Sequence, residues 1–197
     1  MPLQNRVDPF GELHAVAARG SLMGNRGGRF HRDDKTLGAR RWASRQWIAC
    51  VCAFKGRHRE VWGRGYTELF FLDEATAFAA GHRPCFECRR ADALAFARAF
   101  SAPDPPPPAA EIDRVLRAER RGARARRALE TLPDGAFVAL DGAPWLVRGA
   151  ALHAWGFQGY GAARPRPEGI IVDVLTPLAI LAAFDNGYKP AVALTPP

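Results

Sequence analysis

Two cysteines separated by two residues, in Cys85-Phe86-Glu87-Cys88, carry the most specific chemical signal in this sequence. Thiolates at that spacing on a tight turn both reach one tetrahedral zinc ion, with Zn–S distances of about 2.3 Å. A thioredoxin-type redox pair uses the same spacing, but it sits at a helix start behind a parallel strand. Here the pair is predicted to follow a short helix and a glycine stop, which favours the metal. Structural cysteines without metal are the third reading. A zinc site asks for four ligands, and Cys50 and Cys52 are the natural completion, because residues i and i+2 of a strand point to one face. The same spacing also suits a buried apolar face made of Ile48, Cys50, Cys52 and Phe54. His31, His58 and His82 are the substitutes if that pair serves the core instead. The expected set is therefore Cys50, Cys52, Cys85 and Cys88, with Zn2+ as the cofactor.

A second constellation is Leu22-Met23-Gly24-Asn25-Arg26-Gly27-Gly28-Arg29-Phe30-His31-Arg32. Glycines let backbone N–H groups approach an anion, and flanking arginines offer forked donors to phosphate. No Gly-Lys-Ser/Thr follows, so this is not a Walker loop. Phe30, Trp42, Trp47, Trp62 and Tyr66 interleave with the basic residues nearby, as in a groove that tracks phosphates and stacks bases. A flexible surface loop, or an aromatic core beneath a basic skin, would present the same residues. Arg26, Arg29 and Arg32, with Arg83, Arg89 and Arg90 beside the cysteine pair, are the expected phosphate contacts. Asp8, Glu12 and His14 form one acid–base or metal constellation, and His58, Glu60 and Glu68 another. No His-Asn-His pattern, nucleophile elbow or dinucleotide fingerprint occurs, and no catalytic residue is assigned.

The elements that must position these residues follow from turn and capping chemistry. Residues 1–28 read as mostly irregular. Residues 45–61 read as a long strand or a strand pair about Lys55-Gly56, and residues 66–72 as a further strand. Asp73 is an N-cap for a helix over residues 74–80, with Gly81 at the C′ position. Residues 91–100 are predicted helical. Four consecutive prolines within residues 102–110 forbid helix and read as a stiff linker. Beyond it, residues 111–132 are helical by propensity, with an apolar stripe of Ile112, Val115 and Leu116 in an arginine-rich surround. A hairpin about Asp141-Gly142, strands over 152–157 and 170–175, and a turn-rich connection at 156–161 come next. The last helix is predicted to start with Thr176 as N-cap and Pro177 at N1, and to stop at Asn186-Gly187. The fold class is α+β, divided as a basic zinc module over residues 1–101, the linker at 102–110, and a basic helix with a small α+β unit over 111–197.

The segment from Glu68 to Arg90, ELFFLDEATAFAAGHRPCFECRR, resembles the second half of the zinc-binding module of the Ada-type DNA alkylation-repair proteins. The likeness covers about 25 of the 197 residues. It implies a small zinc module that contacts DNA backbone through four cysteine ligands, one of which accepts a methyl group from a phosphotriester. Cys85 and Cys88 match the second ligand pair, and Arg83, Arg89 and Arg90 the adjacent basic residues. The first pair departs from the family, which places three residues between its cysteines; Cys50 and Cys52 have one residue between them.

Composition bounds the partners. The 197 residues carry a formal charge of +8, with 48% hydrophobic and 24% charged residues, which excludes wholesale disorder. Between Arg19 and Arg64, twelve Arg and Lys face three acids, whereas residues 131–197 hold four basic and five acidic residues. That basic end favours a polyanionic partner, and the Ada-type resemblance implies DNA ahead of RNA. No apolar run approaches the roughly 18–20 residues of a membrane span, and no secretory signal opens the chain, so a cytoplasmic setting is expected. The function expected is that of a zinc-containing nucleic-acid-binding protein linked to DNA repair or processing. The alternatives are an enzyme acting on DNA, either a nuclease or a methyl acceptor, and a non-catalytic module that binds an acidic protein.

Overall fold

The computed structural model describes residues 1–58, 60–101 and 105–194, and its architecture is α+β. The first sheet comprises β1 (Arg6–Val7), β2 (Leu13–His14), β3 (Leu22–Arg26), β4 (Trp47–Val51), β5 (Leu69–Phe71) and β6 (Arg83–Pro84), in the order β2-β1-β5-β3-β4-β6. β1 runs parallel to β5 and β4 parallel to β6, while the remaining pairs are antiparallel. The second sheet is antiparallel throughout. It comprises β7 (Arg126–Ala128), β8 (Phe137–Leu140), β9 (Ala143–Arg148), β10 (Ala151–Gly156), β11 (Gly159–Pro165) and β12 (Ile171–Val174), in the order β11-β10-β9-β8-β12-β7. Among the described residues there are also four α-helices, α1 (Glu74–Ala79), α2 (Arg90–Phe100), α3 (Ala109–Arg121) and α4 (Leu178–Asp185), and a 3-10 turn at Leu129–Thr131.

Capping explains where α1 begins and ends. The Asp73 carboxylate accepts from the Thr76 amide at 2.9 Å and the Thr76 hydroxyl at 2.7 Å, satisfying donors that the first turn leaves free. Gly81 follows the helix at φ +76°, where a Cβ would be strained and would also meet the Arg120 side chain at 2.7 Å. In α2, Ala93, Phe96, Ala97 and Phe100 are buried at helical spacing. α3 buries Ile112 and Leu116 but stops at Gly122, ten residues short of the predicted helix end. Gly122 caps the helix, its amide bonding Ala118 O and Glu119 O, and the chain beyond it pairs as β7 with β12.

Other departures have local causes. The first 28 residues supply three strands rather than irregular chain, and β3 lies between β5 and β4. Of the strand or strand pair expected over 45–61, only β4 forms among the described residues, while the expected Lys55-Gly56 turn is present at φ +51° and +64°. Residues 156–161, read as a turn-rich connection, do turn at Phe157 and Gln158, but residues 159–161 already belong to the edge strand β11. Thr176 does not cap α4. Pro177 occupies that position, and the Thr176 hydroxyl instead accepts from the Phe137 amide at 2.9 Å. The β8–β9 hairpin turns on Asp141 and Gly142, both at positive φ as a two-residue type I′ turn requires.

One core cluster draws on both sides of the proline segment. Phe78 of α1 and Phe96 of α2 share it with Ile112 and Leu116 of α3, Ile180 of α4, and Val138, Val147 and Val172 of the second sheet. Of the predicted linker, residues 102–104 lie outside the described residues and residues 109–110 already belong to α3. No helix among the described residues is long and apolar enough to cross a membrane.

Candidate metal centre

The first sheet brings three of the four cysteines together. Cys50 is the fourth residue of β4, and Ala49 beside it pairs with Pro84 of β6. The Cys85 amide extends that pairing, donating to Ala49 O at 3.0 Å, and the chain then turns through Cys88 into α2. As a result the Cys50, Cys85 and Cys88 sulfur atoms all lie within 4.8 Å of one another. Cys50 and Cys85 are buried, at 7% and 8% exposure. The cluster can hold a metal ion.

Its electrostatics are already polarised. The Cys50 thiol donates to Cys85, and the Cys88 and Glu87 amides add to it, lowering Cys85 to about 5 despite its burial. The Glu87 amide lies 3.4 Å from the Cys85 sulfur. Cys50, as the donor of that hydrogen bond and a buried group, is pushed up. Desolvation raises Cys88 as well. A preformed thiolate with two more sulfur donors around it suits a borderline-soft divalent ion such as zinc.

Cys52 does not join the cluster. β4 ends at Val51, so strand alternation no longer holds at Cys52, which is exposed and donates to Ser21 O at 3.4 Å. It lines, together with the three clustered thiols, a cavity of about 220 Å³ whose other walls include Met23, Ile48, Phe70 and Glu68. The histidine substitutes are placed elsewhere. His31 stacks on Trp62 and bonds Thr67 Oγ1 at 2.8 Å. His82 is buried against Trp47 and Phe71, and His58 is exposed. The cysteine pair also sits differently in the chain from the expectation. β6, parallel to β4, intervenes after Gly81, and α2 starts directly behind Cys88. That is the strand-to-helix setting of a redox pair, and the third thiol, on Cys50 beside Cys85, adds the donor with which the cluster can hold a metal ion.

The predicted phosphate contacts separate into three groups. Arg83 and Arg89 are corrections: both are buried and paired. Arg83 forms a bidentate pair with Asp113 of α3 at 2.8 and 2.9 Å, and Arg89 bonds Glu74 and Asp92. Their charges are compensated inside the fold and hold β6 against α3 and α2 against α1. Arg32 and Arg90 are exposed, and Arg29 is paired with Asp33. Arg26 belongs to β3, at 2% exposure, beneath the Trp47 ring. The glycine-rich stretch is likewise strand and turn rather than an open anion loop: Asn25 Oδ1 accepts from the Gly27 amide at 2.9 Å. Asp8 and His14 pair with each other at 2.8 Å as an edge contact of β1 and β2. Arg120 and Arg124, which line a second cavity with Arg26, gave no linear signal, because in sequence they belong to a solvated arginine run.

These features define an α+β protein with a three-cysteine cluster on the edge of its first sheet. No family model, curated protein or solved structure matches the chain.

Proposed function

We propose that this chain is a zinc-bearing protein that binds nucleic acid, DNA ahead of RNA. The convergence of Cys50, Cys85 and Cys88 carries the metal half of that reading. Those three thiols would hold the ion, and the ion would lock β4, β6 and the start of α2 together. The likeness of residues 68–90 to an Ada-type zinc module supports DNA as the partner. So do the uncompensated arginines: Arg40, Arg45, Arg121 and Arg124 are exposed and form no ion pair among the described residues. Phosphate contacts of this kind release counterions, so affinity falls steeply and linearly on a log–log salt plot, on duplexes of any sequence. Fluorescence anisotropy on unrelated duplexes across a salt series tests this. Failure to bind DNA or RNA at low salt would overturn the nucleic-acid reading and leave an acidic protein as the partner to test.

One observation favours a second reading, an enzyme that acts on DNA. The clustered thiols line a cavity instead of being sealed by a fourth sulfur, and metal centres that react keep a position open. In a methyl-acceptor step a cysteine sulfur would attack the methyl carbon of a phosphotriester and release the phosphodiester anion. Incubation with methylated DNA would then add one methyl mass to a cysteine peptide, and an unchanged mass would dismiss that step. Nicking of supercoiled DNA is the corresponding test for a nuclease.

A further inference from the structure

A second cavity, of about 520 Å³, lies between the first sheet and the ends of α3 and α4. Arg26 and Arg120 build one wall of it around an indole. Their guanidinium carbons sit 4.0 and 4.3 Å from the Trp47 ring centroid. Arg41 and Arg124 also line the cavity, with Arg124 over Phe10 at 5.0 Å.

The four cations share one property: none forms an ion pair with a carboxylate among the described residues. Arg26 donates to Gly11 O at 2.7 Å, and its Nε faces His82 Nε2 at 3.5 Å. Arg120 donates to Gly81 O at 2.8 Å and Arg45 O at 3.0 Å. All of these acceptors are neutral. Two carboxylates line the cavity, Glu12 and Glu119, and Glu119 is engaged with the Ala179 amide at the start of α4. Burial, then repulsion from Arg120, lowers Arg26 to about 9 against the attraction of Glu12 and Asp8, and burial lowers Arg120 to about 10 against that of Asp113. Elsewhere in the same fold, buried arginines are matched to carboxylates, as Arg83 is to Asp113 and Arg89 to Glu74. A buried charge with no carboxylate in direct contact is costly, and an entering anion offsets that cost. The cavity also presents Trp42, 52% exposed and 6.2 Å from Trp47 between ring centroids. An open indole beside forked phosphate donors suits a base attached to that anion.

We propose that this cavity is a nucleotide-phosphate site, in which Arg26 and Arg120 seat a phosphate monoester, Arg41 and Arg124 close on it, and Trp42 stacks the attached base. The same chemistry comes from a free mononucleotide or from the 5′-phosphorylated end of a strand. The second source rests on the nucleic-acid reading above, and the first does not.

Calorimetry of the full chain with AMP, adenosine and inorganic phosphate tests the site. Anisotropy with a short thymidylate oligonucleotide, with and without its 5′-phosphate, separates the sources. AMP is expected to bind about ten-fold or more tighter than adenosine, the worth of one good charge-assisted pair. The double variant Arg41→Gln/Arg124→Gln, chosen at exposed and half-buried positions, should weaken AMP by a similar factor with melting temperature and metal content unchanged. Trp42→Ala should weaken AMP and leave inorganic phosphate as it was. Equal binding of AMP and adenosine, or an unaffected double variant, would overturn the site. Should AMP bind no tighter than adenosine while DNA binds with no dependence on its terminal phosphate, the site falls while the nucleic-acid reading stands. Should AMP bind as expected while neither DNA nor RNA binds, the site stands as a free-nucleotide pocket and the nucleic-acid reading falls.

Discussion

At Cys85 the local chemistry makes a thiolate before any ion is considered. A hydrogen bond from Cys50 and the amides of Cys88 and Glu87 lower its pKa to about 5, against an ordinary thiol value near 9. In the metal-free protein, therefore, one thiolate titrates near pH 5, visible as ultraviolet thiolate absorbance that Cys85→Ser removes. The linked stability has a defined sign. Between about pH 5 and pH 9 the unfolded chain binds one more proton at Cys85 than the folded chain does, so stability rises with pH across that window and is lost as pH falls through 5. A metal-free protein whose denaturation midpoint is flat over that range would contradict the hydrogen-bonded thiolate. Cys52 shows the opposite lesson. Strand alternation placed it beside Cys50, but alternation ends where the strand ends, and β4 stops one residue too early.

At the scale of elements, the best-read parts of the chain were those whose signals are local. Asp73 and Gly81 bracketed α1 correctly because a cap and a C′ glycine act on their own turn. The cysteine turn was legible for the same reason. The parts that were missed depend on pairing at a distance. β1, β2 and β3 are short, and their glycine-rich or polar residues carry no alternation, so only their partners make them strands. Arg83 looks free in sequence because nothing nearby announces Asp113, thirty residues away. Arg89 looks free because its buried partner Glu74 comes from the preceding helix, although Asp92 lies only three residues on. Gly81 joins the two levels, since its position at φ +76° both ends α1 and leaves room for the Arg120 side chain. Gly81→Ala should cost about 1 kcal/mol for the left-handed backbone, and more for displacing Arg120. Chemical denaturation measures the first, and weaker AMP binding would register the second. A variant as stable as the parent would show that the turn tolerates a Cβ.

For the whole molecule, the core cluster spans both sides of the proline segment, and a single cooperative folding unit is the expected behaviour. Phe78 and Phe96 share a core cluster with Ile112, Leu116 and Ile180, and the buried Arg83–Asp113 pair ties the cysteine turn to α3. Calorimetry should give a single unfolding transition, and Asp113→Ala, which strands a buried guanidinium, should destabilise that transition by about 3–5 kcal/mol. Two separate transitions, only one of them moved by Asp113→Ala, would mean that the halves fold independently.

The most direct test of the central claim is the zinc content of the purified, untagged chain and of its cysteine variants, measured by elemental analysis. A centre built on Cys50, Cys85 and Cys88 predicts about one zinc per chain, retained in Cys52→Ser and lost in Cys50→Ser and Cys85→Ser, with lower melting temperatures in both. No zinc in the parent chain, or equal zinc in all three variants, would contradict it.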